Sequence, residues 1–148
     1  MPDESQPHIE FILLADRAEV SGGKLYLMGG CWDRLAVANL RTGAKLEVGV
    51  AVRVSVPASD ERLQHRVELR VHGPGSPSIT PREFVFVRDA QRSNVPDPLP
   101  VVIASQCVLT VSSEGTHSVE ALIDGCASAE TRFRLVAGES DRTTRRAS

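Results

Sequence analysis

The sequence predicts an all-β protein: a two-sheet antiparallel β-sandwich of about eight strands, Ig-like or jelly-roll-like, with little or no helix. Three observations predict it. Valine outnumbers leucine and isoleucine, 18 against 13 and 5, and β-branched side chains lose rotamer freedom on a helix but pack well on a pleated surface. Turn residues punctuate the chain every eight to fifteen positions, and between them apolar residues alternate with period two. A β chain of this length must hide its apolar faces by packing sheet on sheet or closing a barrel. Long, one-sided strands with a single core's worth of inward residues favour two sheets.

Phe11-Ile12-Leu13-Leu14-Ala15 is a continuous apolar run, as expected of a strand buried on both faces or pressed under a loop. Leu25, Leu27 and Met28 follow the Ser21-Gly22-Gly23 turn as a second strand, and Leu35 to Leu40 fits either one helical turn or an extended segment. Leu46 to Val56 is the clearest element. Its Leu46, Val48, Val50, Val52, Val54 and Val56 point one way, while Glu47, Gly49, Ala51, Arg53 and Ser55 point the other. His65 to His72 repeats the device with Val67, Leu69 and Val71 inward, and the polar loop at Ser59-Asp60-Glu61 suggests antiparallel pairing with the preceding strand. Gly73-Pro74-Gly75-Ser76-Pro77 breaks that strand, and Phe84 and Phe86 mark the next. A long proline-bearing connection at 89–100 leads into Val101 to Val111, with a kink or bulge expected near Ala104-Ser105. Ser118 to Asp124 and Thr131 to Val136 form a closing hairpin through Gly125.

Residues 1–7 and 139–148 are polar and lack apolar periodicity, so they are expected to be flexible ends around one domain at 8–138. The formal net charge of −2 provides no positive field for a nucleic-acid partner. No window approaches 18 uninterrupted apolar residues, and MPDESQPHIE has no basic segment leading into an apolar one, so a cytoplasmic protein without membrane contact is expected. Cys31, Cys107 and Cys126 are odd in number and widely spaced. They read as buried free thiols of a reducing compartment.

The stretch Gly22-Gly23-Lys24-Leu25-Tyr26-Leu27-Met28-Gly29-Gly30-Cys31-Trp32-Asp33 holds two glycine pairs and the chain's only tyrosine and tryptophan. As a phosphate loop it fails at both ends, with Ala18 at the first glycine position and Leu25 at the hydroxyl position. A dinucleotide loop needs a helix after its glycines, and here a strand follows. Gly22-Gly23 therefore reads as a tight hairpin turn with Lys24 exposed, and Gly29-Gly30 as a bulge or close backbone crossing beside Trp32. His65 and His72 lie at opposite ends of one strand, about 23 Å apart, and face opposite ways, so they cannot share a metal. His117 reads as exposed in the Glu114-Gly115-Thr116 turn. No metal ligands, cofactor site or catalytic residues are expected, since no acid/base pair, H-E-x-x-H or G-x-S-x-G pattern is present. Asp16 and Asp33 stand out by placement, with turn-capping as their structural reading.

Leu14-Ala15-Asp16, Gly23-Lys24-Leu25 and Gly29-Gly30 with Trp32 together resemble the opening block of an uncharacterised family of bacterial and phage proteins, a domain of unknown function with "LLAD", "GKL" and "GGGW" signatures. Gly115 to Gly125, followed by Phe133-Arg134-Leu135, is similar to that family's closing hairpin. Cys31 stands where the third glycine is usual, and His117 where an aromatic is commoner. The resemblance implies a small cytoplasmic β-sandwich with no cofactor or reaction. The expected function is a non-enzymatic binding or assembly module that meets a protein partner or further copies of itself through a sheet edge or the 89–100 loop. The alternative is a site for a sugar-like or cationic ligand, or a hydrolytic site, around Trp32, Asp33 and Asp16.

Overall fold

The period-two segments all become strands. A computed structural model describes residues 5–38, 40, 43–74, 76–87 and 97–138, with the backbone alone at 76–81. Residues 1–4 of the expected flexible N-terminus, the expected tail at 139–148 and residues 89–96 of the proline-bearing loop lie outside them. Nine strands form: β1 (His8–Ser21), β2 (Lys24–Gly30), β3 (Arg34–Val37), β4 (Ala44–Val56), β5 (Gln64–Gly73), β6 (Ser76–Val87), β7 (Leu99–Val111), β8 (Gly115–Ile123) and β9 (Cys126–Ala137). Among the described residues there is no α-helix, and no helix long and apolar enough to cross a membrane. The segment at 35–40 is extended as β3 over its first half.

The strands make two sheets, ordered β2-β1-β4-β7 and β3-β9-β8-β5-β6, the second curled into a half-barrel. All pairings are antiparallel except β3 with β9, which is parallel and departs from the purely antiparallel expectation. The expected pairing of Leu46–Val56 with His65–His72 does not form. β4 pairs with β1 and β7, while β5 pairs with β6 and β8. The polar loop is therefore a crossover between sheets rather than a hairpin. No bulge interrupts Ala104-Ser105 either, since β4 and β7 keep one register from Ala44↔Val111 to Val56↔Leu99.

Both sheets feed one core. Ile12, Leu14, Val48, Val50, Val52, Val54 and Leu109 from the first meet Val67, Leu69, Val119, Ile123, Phe133 and Leu135 from the second. The inward sets read from β4, β5 and β8 are buried except for the half-buried Leu46. The opposite face of β4, read as outward, is buried as well at Gly49, Ala51 and Ser55.

Gly49 has a specific task. The β1–β4 ladder ends at Ala15↔Gly49, and the β1–β2 ladder begins at Ala15↔Gly30. Beyond Ala15, β1 passes directly over Gly49, where a β-carbon would stand 2.6 Å from Ala18 N and 2.7 Å from Arg17 C. The Ala18 N–H, without a ladder partner on that side, donates to Gln106 Oε1 at 3.0 Å. Gln106 Nε2 in turn donates to the Asp16 carbonyl at 3.2 Å. One side chain from β7 thereby replaces the ladder that β4 stops providing.

Candidate functional site

The β1–β2 hairpin turns on Gly22 and Gly23 at φ +57° and +74°, the paired left-handed geometry of a two-residue turn that only glycine enters without cost. Lys24 is exposed, as the turn reading expects. Beyond the turn, Leu25 and Leu27 are half-buried while Lys24, Tyr26 and Met28 face water. β2 is the outermost strand of its sheet, with no strand on its other side among the described residues. Tyr26 and Met28 are 54% and 66% exposed, so two of the chain's larger apolar side chains stand on an open edge.

At the far end of β2, Gly29 takes φ +61° and the Asp16 carboxylate lies across its α-carbon, so that a β-carbon there would stand 2.8 Å from Asp16 Cγ. The close approach at Gly29 is thus to a side-chain carboxylate, not the bulge or backbone crossing expected of Gly29-Gly30. The β1–β2 register itself continues to Ala15↔Gly30. Cys31, at φ +63°, donates its N–H to the Leu14 carbonyl at 2.8 Å and turns the chain out of the first sheet. Trp32 then packs edge-on against Phe133 of β9, with ring centroids 5.7 Å apart and planes at 89°. The Asp33 carbonyl accepts the Arg134 N–H at 2.8 Å and starts the parallel β3–β9 ladder.

Residues 31–33 are thus the crossing between sheets, and Trp32 anchors it. The Trp32 ring is half-buried and its indole N–H is buried without an acceptor among the described residues. The Asp16 and Asp33 side chains are exposed, and among the described residues neither carboxylate accepts a turn amide. Turn-capping therefore does not describe them. Asp16 sits in the middle of β1 rather than at its end. No hydrogen bond or ion pair among the described residues joins Asp16, Trp32 and Asp33.

Two polar clusters had no signal in the sequence. His65, on the inward face of β5, is wholly buried, with Nδ1 2.7 Å from Asp124 Oδ2. A carboxylate only accepts, so the imidazole holds that proton. Asp124 takes φ +50° in the β8–β9 turn, and its Oδ1 accepts the Arg66 N–H at 2.9 Å. Arg62 bridges Asp60 at 2.8 Å and Asp124 at 3.2 Å. Its hydrogen bonds hold the Asp60 carboxyl below the usual value against the opposing effect of burial. His65 Nε2 is buried, lies 3.8 Å from Asp60 Oδ1 and has no hydrogen-bond partner among the described residues. With the Phe86 ring 5.4 Å away as well, the imidazole presents no face to a substrate. The group is a latch that ties the crossover at 57–63 to the β8–β9 turn.

The second cluster surrounds an open depression of about 350 Å³ lined by His72, Gly73, Thr116, Ser118, Glu130 and Arg132, among others. His117 lies beneath it on β8 and is buried, contrary to its expected exposed position in a turn. It stacks on Phe133 at 5.5 Å, because β8 starts at Gly115 and sends residue 117 to the core face. His72 faces outward, as its odd spacing from His65 predicts. Among the described residues no three His, Cys, Asp or Glu side chains are placed to hold a metal ion. All three cysteines are free, but only Cys107 is buried. Cys31 at the crossing and Cys126 at the start of β9 are exposed, unlike the expectation, because both flank turns rather than point into the core.

A family described only as one of unknown function matches residues 10–136, which takes in all nine strands but for the first two residues of β1 and the last of β9. No curated protein matches the chain.

Proposed function

We propose that this chain, which belongs to that family of unknown function, DUF6941, is a non-enzymatic β-sandwich module that binds a protein partner along the free edge of β2. The observation that carries this reading is the exposure of Tyr26 and Met28 on a strand whose outer side is unpaired among the described residues. Unpaired edges template strand addition, and aromatic and thioether side chains are enriched where proteins meet. The other outermost strands differ in kind: β6 exposes Val85 and Val87, at 51% and 70%, but no aromatic or thioether side chain stands exposed on it among the described residues. On β7 the Gln106 carbonyl accepts from Arg82 at 3.4 Å, and β3 has only four residues. The ligand reading around Trp32 is weaker, because the ring is committed to Phe133.

The test uses the full chain and its Tyr26→Lys variant as baits of equal fold, checked by circular dichroism. The reading expects a chain, foreign or identical, that the wild type retains and the variant loses. Equal retention by both overturns it.

A further inference from the structure

We infer that the occupant of the β2 edge is a second copy of this chain, paired antiparallel about Leu27, an inference that rests on the edge-binding reading above. The two-residue turn makes Ser21↔Lys24 a hydrogen-bonded pair. Bonding then alternates along the hairpin. Lys24, Tyr26 and Met28 direct their N–H and C=O groups toward β1, and Leu25 and Leu27 direct theirs to the open side. Leu27 is therefore suited to exchange both bonds with Leu27 of a second copy across a two-fold axis. Leu25 stands opposite Gly29 on either side, and there the regular ladder ends, because Gly29 at φ +61° leaves extended geometry.

In that register Tyr26 of each copy faces Met28 of the other in the non-hydrogen-bonded position, where side chains approach most closely. A thioether against an aromatic ring is a favourable contact. The flanking charges agree. β1 places Glu19 beside Tyr26 and Arg17 beside Met28. Each row across the four strands of the joined hairpins therefore runs from Arg17 of one copy, through Met28 and Tyr26, to Glu19 of the other. Unlike charges bracket each apolar pair. Lys24, the only charged residue of β2, falls opposite Gly30, so no like charges meet. An isologous pairing of this kind closes on itself and leaves the hairpin edges buried.

Sedimentation velocity of the full chain over a wide concentration range tests this. The expected result is a reversible species of twice the 16.0 kDa chain mass. Tyr26→Lys gains Glu19 as a neighbour and Met28→Glu gains Arg17, so both variants suit the folded hairpin. Each alone is expected to weaken the dimer by about tenfold or more. Combined in one chain, the two substitutions set the introduced ammonium of each copy against the introduced carboxylate of the other, twice per dimer, and should restore association most of the way to wild type. Monomer at every concentration, single variants that associate like the wild type, or no recovery in the double variant overturns the inference. If the wild type is monomeric yet Tyr26→Lys still loses a foreign partner, edge binding stands and only the occupant is wrong.

Discussion

The Nδ1 of His65 and the Asp124 carboxylate lie 2.7 Å apart across 59 residues of chain, and through them the inter-sheet crossover is fastened to the closing hairpin. Asp124 also accepts the Arg66 amide and holds φ +50°, a conformation that Asn and Asp tolerate better than other non-glycine residues. Asp124→Ala leaves a buried imidazole proton without an acceptor and strains the turn. A loss of about 2–3 kcal/mol is predicted by urea denaturation. Asp124→Asn keeps an acceptor oxygen and the turn geometry, and should lose clearly less.

Asp60 gives the same latch an acid limit. Arg62, through its hydrogen bonds, lowers the Asp60 pKa below 3.8, so the folded state holds this proton more weakly than the unfolded chain does. The stabilisation is fully present above the ordinary carboxylate value and is lost as pH falls through the lower, folded value. Urea midpoints measured from pH 7 to pH 2.5 should therefore drop below about pH 4 in the wild type. Asp60→Asn should start less stable at neutral pH and show a shallower acid slope. An unchanged slope would remove Asp60 from the account.

Gly49 is the point where the β1 backbone approaches β4 too closely for a side chain. A β-carbon there meets backbone atoms of Arg17 and Ala18, which cannot move aside as a flexible side chain can. Gly49→Ala is predicted to cost about 1–3 kcal/mol, toward the upper end. Gln106→Ala removes the acceptor of the Ala18 N–H and should cost about 1–2 kcal/mol. Because both act on one contact, the double variant should cost less than the sum of the two singles.

Gly49 also shows where the sequence stops being legible. Alternation in β4 identified every inward valine, because side-chain direction is a local property of a strand. It did not show that β1 crosses over Gly49, or that β4 and β5 belong to different sheets, since pairing partners are chosen by contacts distant in sequence. The Gly22-Gly23 turn was legible for the opposite reason: its geometry is settled within four residues. His65, Asp60 and Asp124 were invisible as a group, since no spacing rule relates a crossover loop to a hairpin turn. Asp124-Gly125 looked only like a turn.

The cysteines separate by environment. Burial pushes the Cys107 thiol above its usual pKa, while Cys31 and Cys126 are exposed. Under native conditions a thiol-specific chromogenic reagent should therefore titrate two groups rapidly and the third only after denaturant is added. Three fast groups would mean that β7 opens readily around Cys107.

Trp32 can be assigned to the core or to a guest by stability alone. Its ring meets Phe133 edge-on, while its indole N–H is buried with no acceptor among the described residues, so nitrogen and ring make opposite contributions. Trp32→Ala removes the packing and should cost about 2–4 kcal/mol. Trp32→Phe keeps an aromatic edge for Phe133 and removes the unsatisfied donor, whose burial otherwise costs about 1–3 kcal/mol. The phenylalanine variant is therefore predicted to lie within about 1 kcal/mol of wild type, its smaller packing area offset by relief of the donor. A large loss in Trp32→Phe would show that the N–H has a partner. A small loss in Trp32→Ala would show that the ring contributes little to the core and is available to a ligand.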